Sequence, residues 1–112
     1  MPTKDVLFDQ AVDHVADGDL EAAVAAYREA IALDPAFADA WQGLALAYGQ
    51  LARHDDAIEA AKKLVELTPE DTLAHTTLSR AYQAAGKVPE AEAAAAKARI
   101  LDWKRQLKDG QS

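Results

Sequence analysis

A period of 34 residues runs through the chain and restricts its fold more than any other feature of the sequence. Moving the sequence by 34 positions superimposes three segments and leaves a short tail. Self-similarity at this period is typical of stacked units, each of which buries its apolar face against the next. The sequence therefore predicts a single domain of three repeats over residues 1–112. The segments are 4–37, 38–71 and 72–105, with 106–112 as the tail.

Each segment contains two apolar stripes with helical spacing. Residues that stand at i, i+3, i+4 and i+7 share one face of a helix, and Trp41, Leu44, Ala45 and Tyr48 have this spacing. The pattern predicts an all-α fold, a helical-hairpin solenoid of six antiparallel helices in which the last helix is extended. The predicted helices are 4–16, 20–33, 38–51, 54–67, 72–85 and 88–108.

Residues that end or begin helices stand between these stripes. Gly18 and Gly86 can adopt the left-handed conformation that ends a helix, and Pro35 prevents the preceding helix from continuing. We expect Pro89 to lie in the first turn of the last helix, where its missing N–H costs nothing. Three residues of types that cap helix N-termini precede predicted helices. They are Thr3, Asp19 and Asp71.

Composition and charge exclude several classes of protein. The chain contains 27 alanines and no cysteine, which favours helix and excludes disulfide and thiolate–metal sites. Its net charge of -7 argues against nucleic acid as the main ligand. No apolar run is long enough to cross a membrane, and charged Lys4, Asp5 and Asp9 stand where a signal peptide would be apolar. We therefore expect a cytoplasmic protein with no membrane insertion.

The charges are unevenly distributed along the chain. Residues 1–71 contain five basic and fifteen acidic side chains, whereas residues 72–112 contain seven basic and four acidic ones. This polarity could orient a partner or favour contact between copies. The alternative interpretation, which we prefer, is a solvated surface that keeps an alanine-rich protein in solution.

The repeat pattern resembles the tetratricopeptide repeat, a helix-turn-helix unit of 34 residues. The second segment carries most of its signature positions, with Ala45 in place of glycine. The first segment departs at Gln10 and His14, and the third has His75 at the tryptophan position and no terminal proline. The matching positions of the second segment are Trp41, Leu44, Tyr48, Ala57, Ala61 and Pro69.

The resemblance implies that the first helix of each pair lines a concave groove that holds a peptide or helix of another protein. Arg80 is the strongest predicted anchor, because a guanidinium can bind a carboxylate through two hydrogen bonds. For any single residue, a solvated position without a ligand remains an equal alternative. The predicted groove residues are Phe8, Val12, Gln42, Leu46, Gln50, Leu73, Thr76, Arg80 and Gln83.

One subgroup of the family clamps the C-terminal carboxylate of chaperone tails with Lys, Asn and Arg side chains. The matching positions of this chain hold none of the required types. The sequence therefore does not predict a co-chaperone of Hsp70 or Hsp90. These positions are Phe8, Val12, Gly43, Leu73 and Thr77.

The last helix carries an apolar stripe beyond the repeat pattern. Ile100, Trp103 and Leu107 stand at i, i+3 and i+7 among basic residues. Such a stripe can pack on its own repeat or against a second copy of the chain. We expect intramolecular packing, because an aromatic stripe at helical spacing is more often core than interface.

The sequence contains no recognisable catalytic or metal-binding set. Its three histidines belong to different segments, and we expect His14 and His75 to be packing variants. No glycine-rich phosphate loop occurs. We therefore predict a noncatalytic protein-interaction module without a cofactor or metal. The alternative is a self-associating structural subunit, and a third, weaker reading is a regulator that binds a small molecule or a metal through the histidines.

Overall fold

The structure is a computed structural model that describes residues 1–110, and all of the regular elements in these residues are helices. Each helix agrees with its predicted bounds to within two residues, and α6 is the extended helix that the sequence predicts. The helices are α1 (Lys4–Ala16), α2 (Leu20–Leu33), α3 (Ala38–Gln50), α4 (His54–Leu67), α5 (Thr72–Ala84) and α6 (Val88–Gly110).

Three predicted N-caps are confirmed by their hydrogen bonds. The side chain of Thr3 accepts a hydrogen bond from the N–H of Val6 at 3.2 Å, and Asp19 accepts one from Ala22 at 3.2 Å. Asp71 caps α5 in the same way, with the N–H of Leu73 as donor at 3.0 Å. These side chains satisfy backbone donors that have no partner within the helix.

The turn inside each hairpin has one residue in the left-handed region. Gly18 and Gly86 have φ of +79°, as their sequence columns predict. The middle turn uses Ala52, with φ of 60°, although a Cβ makes this conformation unfavourable. All three turns therefore have the same backbone geometry, although the middle turn has alanine where glycine would be more favourable.

Consecutive helices pack as three hairpins, α1–α2, α3–α4 and α5–α6. Alanine occupies the positions at which the two helices of a hairpin cross, and the columns Ala11, Ala23, Ala45, Ala57 and Ala91 are buried. Small side chains let two helix backbones approach closely. In the third hairpin Ser79 replaces one of these alanines, and its hydroxyl donates to the carbonyl of Ala91 at 2.8 Å.

The hairpins stack through α2 against α3 and α4 against α5, so that α1, α3 and α5 become neighbours. A hydrogen bond recurs at both junctions. Trp41 Nε1 donates to the carbonyl of Pro35 at 2.8 Å, and His75 Nε2 lies 2.8 Å from the carbonyl of Pro69. Because a carbonyl only accepts, His75 must carry its proton on Nε2. His75 is buried, which confirms it as a packing variant.

At the two ends of the stack, polar residues occupy repeat positions that hold apolar residues at the interior junctions. Leu44 and Leu78 face the preceding hairpin, whereas the equivalent Gln10 is exposed. At the other end, the column of buried Val24 and Ile58 continues with exposed Glu92. Interface positions are therefore apolar only where a neighbouring hairpin covers them.

The apolar stripe of α6 does not pack on its own hairpin. Ile100, Trp103 and Leu107 are 47%, 59% and 46% exposed, and Leu101 is the buried residue of this segment. The expectation of intramolecular packing is wrong, because the side of α6 that meets α5 is formed by its small residues and Leu101. In the described part of the chain, no helix has the length and apolar character needed to span a membrane.

Candidate functional site

The first helices of the three hairpins form one face of the stack, which we call the groove face. Residues 34 apart occupy equivalent places on α1, α3 and α5, so that a column of the sequence becomes a row across this face. One such row consists of Val12, Leu46 and Arg80, all exposed. It combines two apolar side chains, 44% and 45% exposed, with a cation that forms no ion pair within residues 1–110.

A hollow of about 260 Å³ lies between α3 and α5 on the groove face, and we call it the central hollow. Three predicted groove residues, Leu46, Gln50 and Arg80, line it together. Small side chains from both hairpins form much of the remaining wall. Its other lining residues are Ala45, Gly49, His54, Ala57, Thr77, Ala81 and Ala84.

His54 is a titratable residue of the central hollow that the sequence did not place in the groove. Its Nδ1 is buried and has no hydrogen-bond partner within the described residues. A buried polar atom without a hydrogen-bond partner lowers the stability of the fold and is uncommon in folded proteins. One sequence signal could have identified it, because the same column holds apolar residues, Leu20 and Val88, in the other hairpins.

A hydrogen bond between neighbouring first helices fixes one wall of the groove face. The hydroxyl of Thr77 donates to Oε1 of Gln42 at 3.0 Å, which connects α5 to α3. The hydroxyl of Thr76 donates to the carbonyl of Thr72 within α5 at 3.1 Å. Gln42 and Thr76 are therefore partly engaged by the protein itself and have less hydrogen-bonding capacity for a ligand than their residue types suggest.

Aromatic rings pack against one another on the groove face of the first hairpin. Phe8 packs edge-on against Tyr27, with ring centroids 5.8 Å apart, and lies 5.3 Å from the ring of Phe37. Burial raises the pKa of the Tyr27 hydroxyl. Phe8 is thus a half-buried packing residue, and Val12 is the more accessible apolar side chain of this hairpin.

Gly43 lies beside this aromatic cluster and has no space for a side chain. A Cβ at this position would overlap the ring of Tyr27. Tyr27 is buried between α2 and α3, so the ring cannot give way without disturbing the junction of the first two hairpins. The space beside Gly43 is therefore filled by the Tyr27 ring.

The remaining predicted groove residues are separated from the central hollow. Leu73 and Thr76 line a larger hollow, about 580 Å³, between the start of α5 and the C-terminal part of α6. Basic Lys104, Arg105 and Lys108 line its α6 wall. Gln83 lines a shallow depression with Val88 and Glu92 on the outer side of the third hairpin. Thr76 also shares a hollow of about 310 Å³ with Arg80, so Arg80 connects the central hollow to the α6 side, whereas Gln83 lies apart.

Charge on the groove face changes sign from one end to the other. Asp5 and Asp39 are exposed at equivalent positions of α1 and α3, whereas Leu73 occupies this position in α5. Arg80 is the basic member of the predicted groove set. Among residues 1–110, no three His, Asp or Glu side chains converge as a metal site would require.

Comparisons with known proteins agree with this geometry. A TPR repeat model matches residues 13–51, and a tetratricopeptide repeat model matches residues 38–71. No curated protein matches the chain in sequence.

Solved structures extend the similarity to almost the whole chain. The crystal structure of MamA is 29% identical with a TM-score of 0.88, covering 93% of this chain and 61% of the MamA chain. The chain thus spans about three-fifths of the MamA length. The first TPR of Spaghetti (RPAP3), bound to the HSP90 peptide SRMEEVD, is 22% identical over 88% of this chain and 79% of its own, with a TM-score of 0.84. The CopN–Scc3 complex is 16% identical over 97% and 69%, with a TM-score of 0.83. The last two show similarity of fold alone.

Proposed function

Because the chain belongs to the tetratricopeptide repeat family, we propose that it is a noncatalytic adaptor that holds a peptide or helix of a partner protein on its groove face. This repeat is in general a protein-interaction fold. A structure of the same fold carries a bound peptide, which supports this mode of binding. In this proposal the third hairpin is the third repeat, 72–105, and the protein acts in the cytoplasm, consistent with a chain free of cysteine.

The central hollow is the observation that carries the proposal. Arg80 lies in its wall with a guanidinium that forms no ion pair within residues 1–110, and His54 lines the same hollow. A carboxylate of the partner would bind this guanidinium through two hydrogen bonds. The preferred partner segment therefore contains an Asp, a Glu or a C-terminal carboxylate at this point.

The rest of the partner segment would lie along the row of Val12 and Leu46. These side chains offer apolar contact, and exposed Asp5 and Asp39 favour a basic residue at the opposite end of the segment. The surface exists before binding, because the Thr77–Gln42 hydrogen bond and the alanine crossings fix the helices. Binding of the partner segment would then cost little conformational entropy, because the groove face is already ordered.

The proposal is tested by selecting peptides from a displayed random library against the immobilised chain. We expect enriched peptides to contain an acidic residue, and their binding to be lost with Arg80→Glu combined with Leu46→Asp. The matched control is Lys62→Glu combined with Leu33→Asp, which changes an exposed cation and an exposed leucine outside the groove face. Equal binding by both double variants, with intact helical spectra, would place the site elsewhere.

Self-association is a second candidate function, which the exposed stripe of α6 supports. Ile100, Trp103 and Leu107 would be covered by another copy of the chain, as in a structural subunit. Sedimentation equilibrium of the intact chain and of a truncation after Leu101 tests this candidate. A dimer that disappears on truncation supports it, and a monomer at every concentration tested contradicts it.

A further inference from the structure

The solvent side of α6 carries an apolar row that is longer than the stripe of three residues. Its members alternate in spacing by three and four positions. They lie on the side of the helix opposite the residues that pack into the third hairpin, which are Ala91, Ala94, Ala98 and Leu101. We call this row the α6 seam. It consists of Ala93, Ala96, Ile100, Trp103 and Leu107.

Spacing by three and four is the pattern of a coiled-coil seam. Apolar residues that repeat every 3.5 positions remain in line along a helix when a second helix packs against them. The row occupies more than two heptads, and α6 is long enough to present it, with 23 residues against 13 or 14 in the other helices. The three large side chains of the row are about half exposed. The α6 seam therefore has the spacing and exposure of one side of a coiled coil.

The charges that flank the α6 seam are mostly basic. In a coiled coil, the residues on either side of the apolar row face the edges of the partner helix and determine which partner is accepted. One edge of the seam holds Lys97 and Lys104, and the other holds Arg99 and Gln106, with Glu92 at its N-terminal end. None of the three cations forms an ion pair within residues 1–110.

A second copy of the chain, the occupant in the self-association candidate, is less suited to cover the α6 seam than an acidic helix of another protein. Two antiparallel α6 helices would place Lys97 against Lys104. Two parallel ones would place Arg99 against Lys104, and this repulsion would offset the attraction between Glu92 and Lys97. The acidic α1 offers little apolar surface as an alternative, because its exposed large apolar side chains are Val6 and Val12, which do not form a row as long as the α6 seam. Like charges at such edges reduce affinity and exclude the wrong partner.

We propose that the α6 seam binds an amphipathic helix of another protein whose apolar stripe is bordered by acidic residues. The seam lies on the solvent side of α6, and none of its residues lines the central hollow. This second interaction surface is therefore independent of the groove-face proposal, and either can fail without the other. With both surfaces occupied, the chain would connect two different proteins.

The test uses two synthetic peptides of four heptads with leucine at both apolar positions, one with Glu and one with Lys at all flanking positions. Binding to the whole chain is followed by anisotropy of a dye on the peptide. We expect the Glu peptide to bind at least about tenfold more tightly than the Lys peptide, with affinity falling as salt is raised. Equal affinities, or preference for the Lys peptide, would overturn the proposal.

Substitutions in the α6 seam then locate the binding. Ile100→Glu combined with Leu107→Glu should abolish binding of the Glu peptide, whereas the exposed control Leu33→Glu should leave it unchanged. Lys97→Glu combined with Lys104→Glu should reverse the preference, so that the Lys peptide binds more tightly. Helical spectra and melting curves show that the variants are folded, as expected for exposed positions. An unreversed preference in a folded variant would overturn the proposal.

Sedimentation equilibrium of the chain without peptide tests whether a second copy of the chain occupies the α6 seam. A monomer supports the proposal, because the seam is then open to a foreign helix. A dimer that Ile100→Glu dissociates would overturn it, since a second copy would then be the occupant of the seam.

Discussion

The interior junctions and the outer side of the third hairpin differ in the residues that they place at the same helix positions, which are apolar and buried or half-buried in the junctions and charged and exposed on the outer side. Val24 and Ile58 are buried against the hairpin that follows them, whereas Glu92 in the same column is exposed. Half-buried Ile31 and Val65 likewise correspond to exposed Arg99. The backbone repeats, but the residue at each position depends on whether a neighbour covers it. A conserved helix geometry therefore does not require a conserved interface.

Exchanging residues between these regions is expected to have the largest effect. Ile58→Glu places a carboxylate in the buried junction between the second and third hairpins and should lower the free energy of unfolding by about 3 kcal/mol or more. Glu92→Ile, on the exposed side, should change it by less than about 0.5 kcal/mol. Urea denaturation of both variants measures the difference. Similar losses in the two variants would show that the outer side of the third hairpin is also covered.

A smaller effect is expected at the turns, where the middle hairpin differs from the outer two. Ala52→Gly should raise the free energy of unfolding by up to about 1 kcal/mol, because glycine has no Cβ to oppose a positive φ. The matched control Ala25→Gly makes the same chemical change at an exposed helical position and should lower it by about 1 kcal/mol. Thermal melting distinguishes the signs. Destabilisation by both variants would mean that Ala52 does not hold this conformation in solution.

The smallest effect concerns an ion pair at the first hairpin. Lys4 Nζ and Asp34 Oδ2 are 2.5 Å apart, and the hydrogen bond from Lys4, with that from the N–H of Ala36, lowers the pKa of Asp34 below its usual 3.8. A lowered carboxyl pKa stabilises the fold above the ordinary value and loses this effect as the pH falls through the lowered one. The same hydrogen bond raises the pKa of Lys4, so its contribution persists at neutral pH and is lost in strong alkali.

Melting temperatures across the acid range measure this contribution. Asp34→Asn should melt slightly lower than the wild type near neutral pH, and the two curves should converge as the pH falls through the lowered pKa of Asp34. Asp9→Asn changes an exposed carboxylate without an ion pair in the described residues and serves as the control. Parallel curves for Asp34→Asn and wild type would contradict the pairing.

Local chemistry made the helices predictable from the sequence. N-caps such as Thr3 and the left-handed Gly18 act within one turn of chain, and the 34-residue period fixes which residues share a face. The family and the hairpin solenoid follow from the same period. Comparing positions 34 residues apart also identified the alanine crossings, because a side chain that must be small in one hairpin must be small in the next.

The candidate site was less predictable because its shape depends on neighbours that the period does not specify. Phe8 belongs to a groove column, but Phe37 and Tyr27 cover it. His54 stands in a hairpin turn, and only the packing of α5 on α4 brings it beside Arg80. Trp103 lies on the solvent side of α6, and no other helix of the described residues covers it. Helical periodicity gives the direction of a side chain, and its accessibility is decided by tertiary packing.

The overlap between Gly43 and Tyr27 has a consequence for engineering this scaffold. The chaperone-tail clamp of the family places a polar side chain at the position of Gly43, and here that volume is filled from α2. Grafting the clamp residues onto this chain one by one would therefore fail at this position. Tyr27 has to be reduced in size first, and the cavity left in the first junction has to be refilled from the opposite side. The route by which such a specificity could be acquired thus begins in the core rather than on the surface.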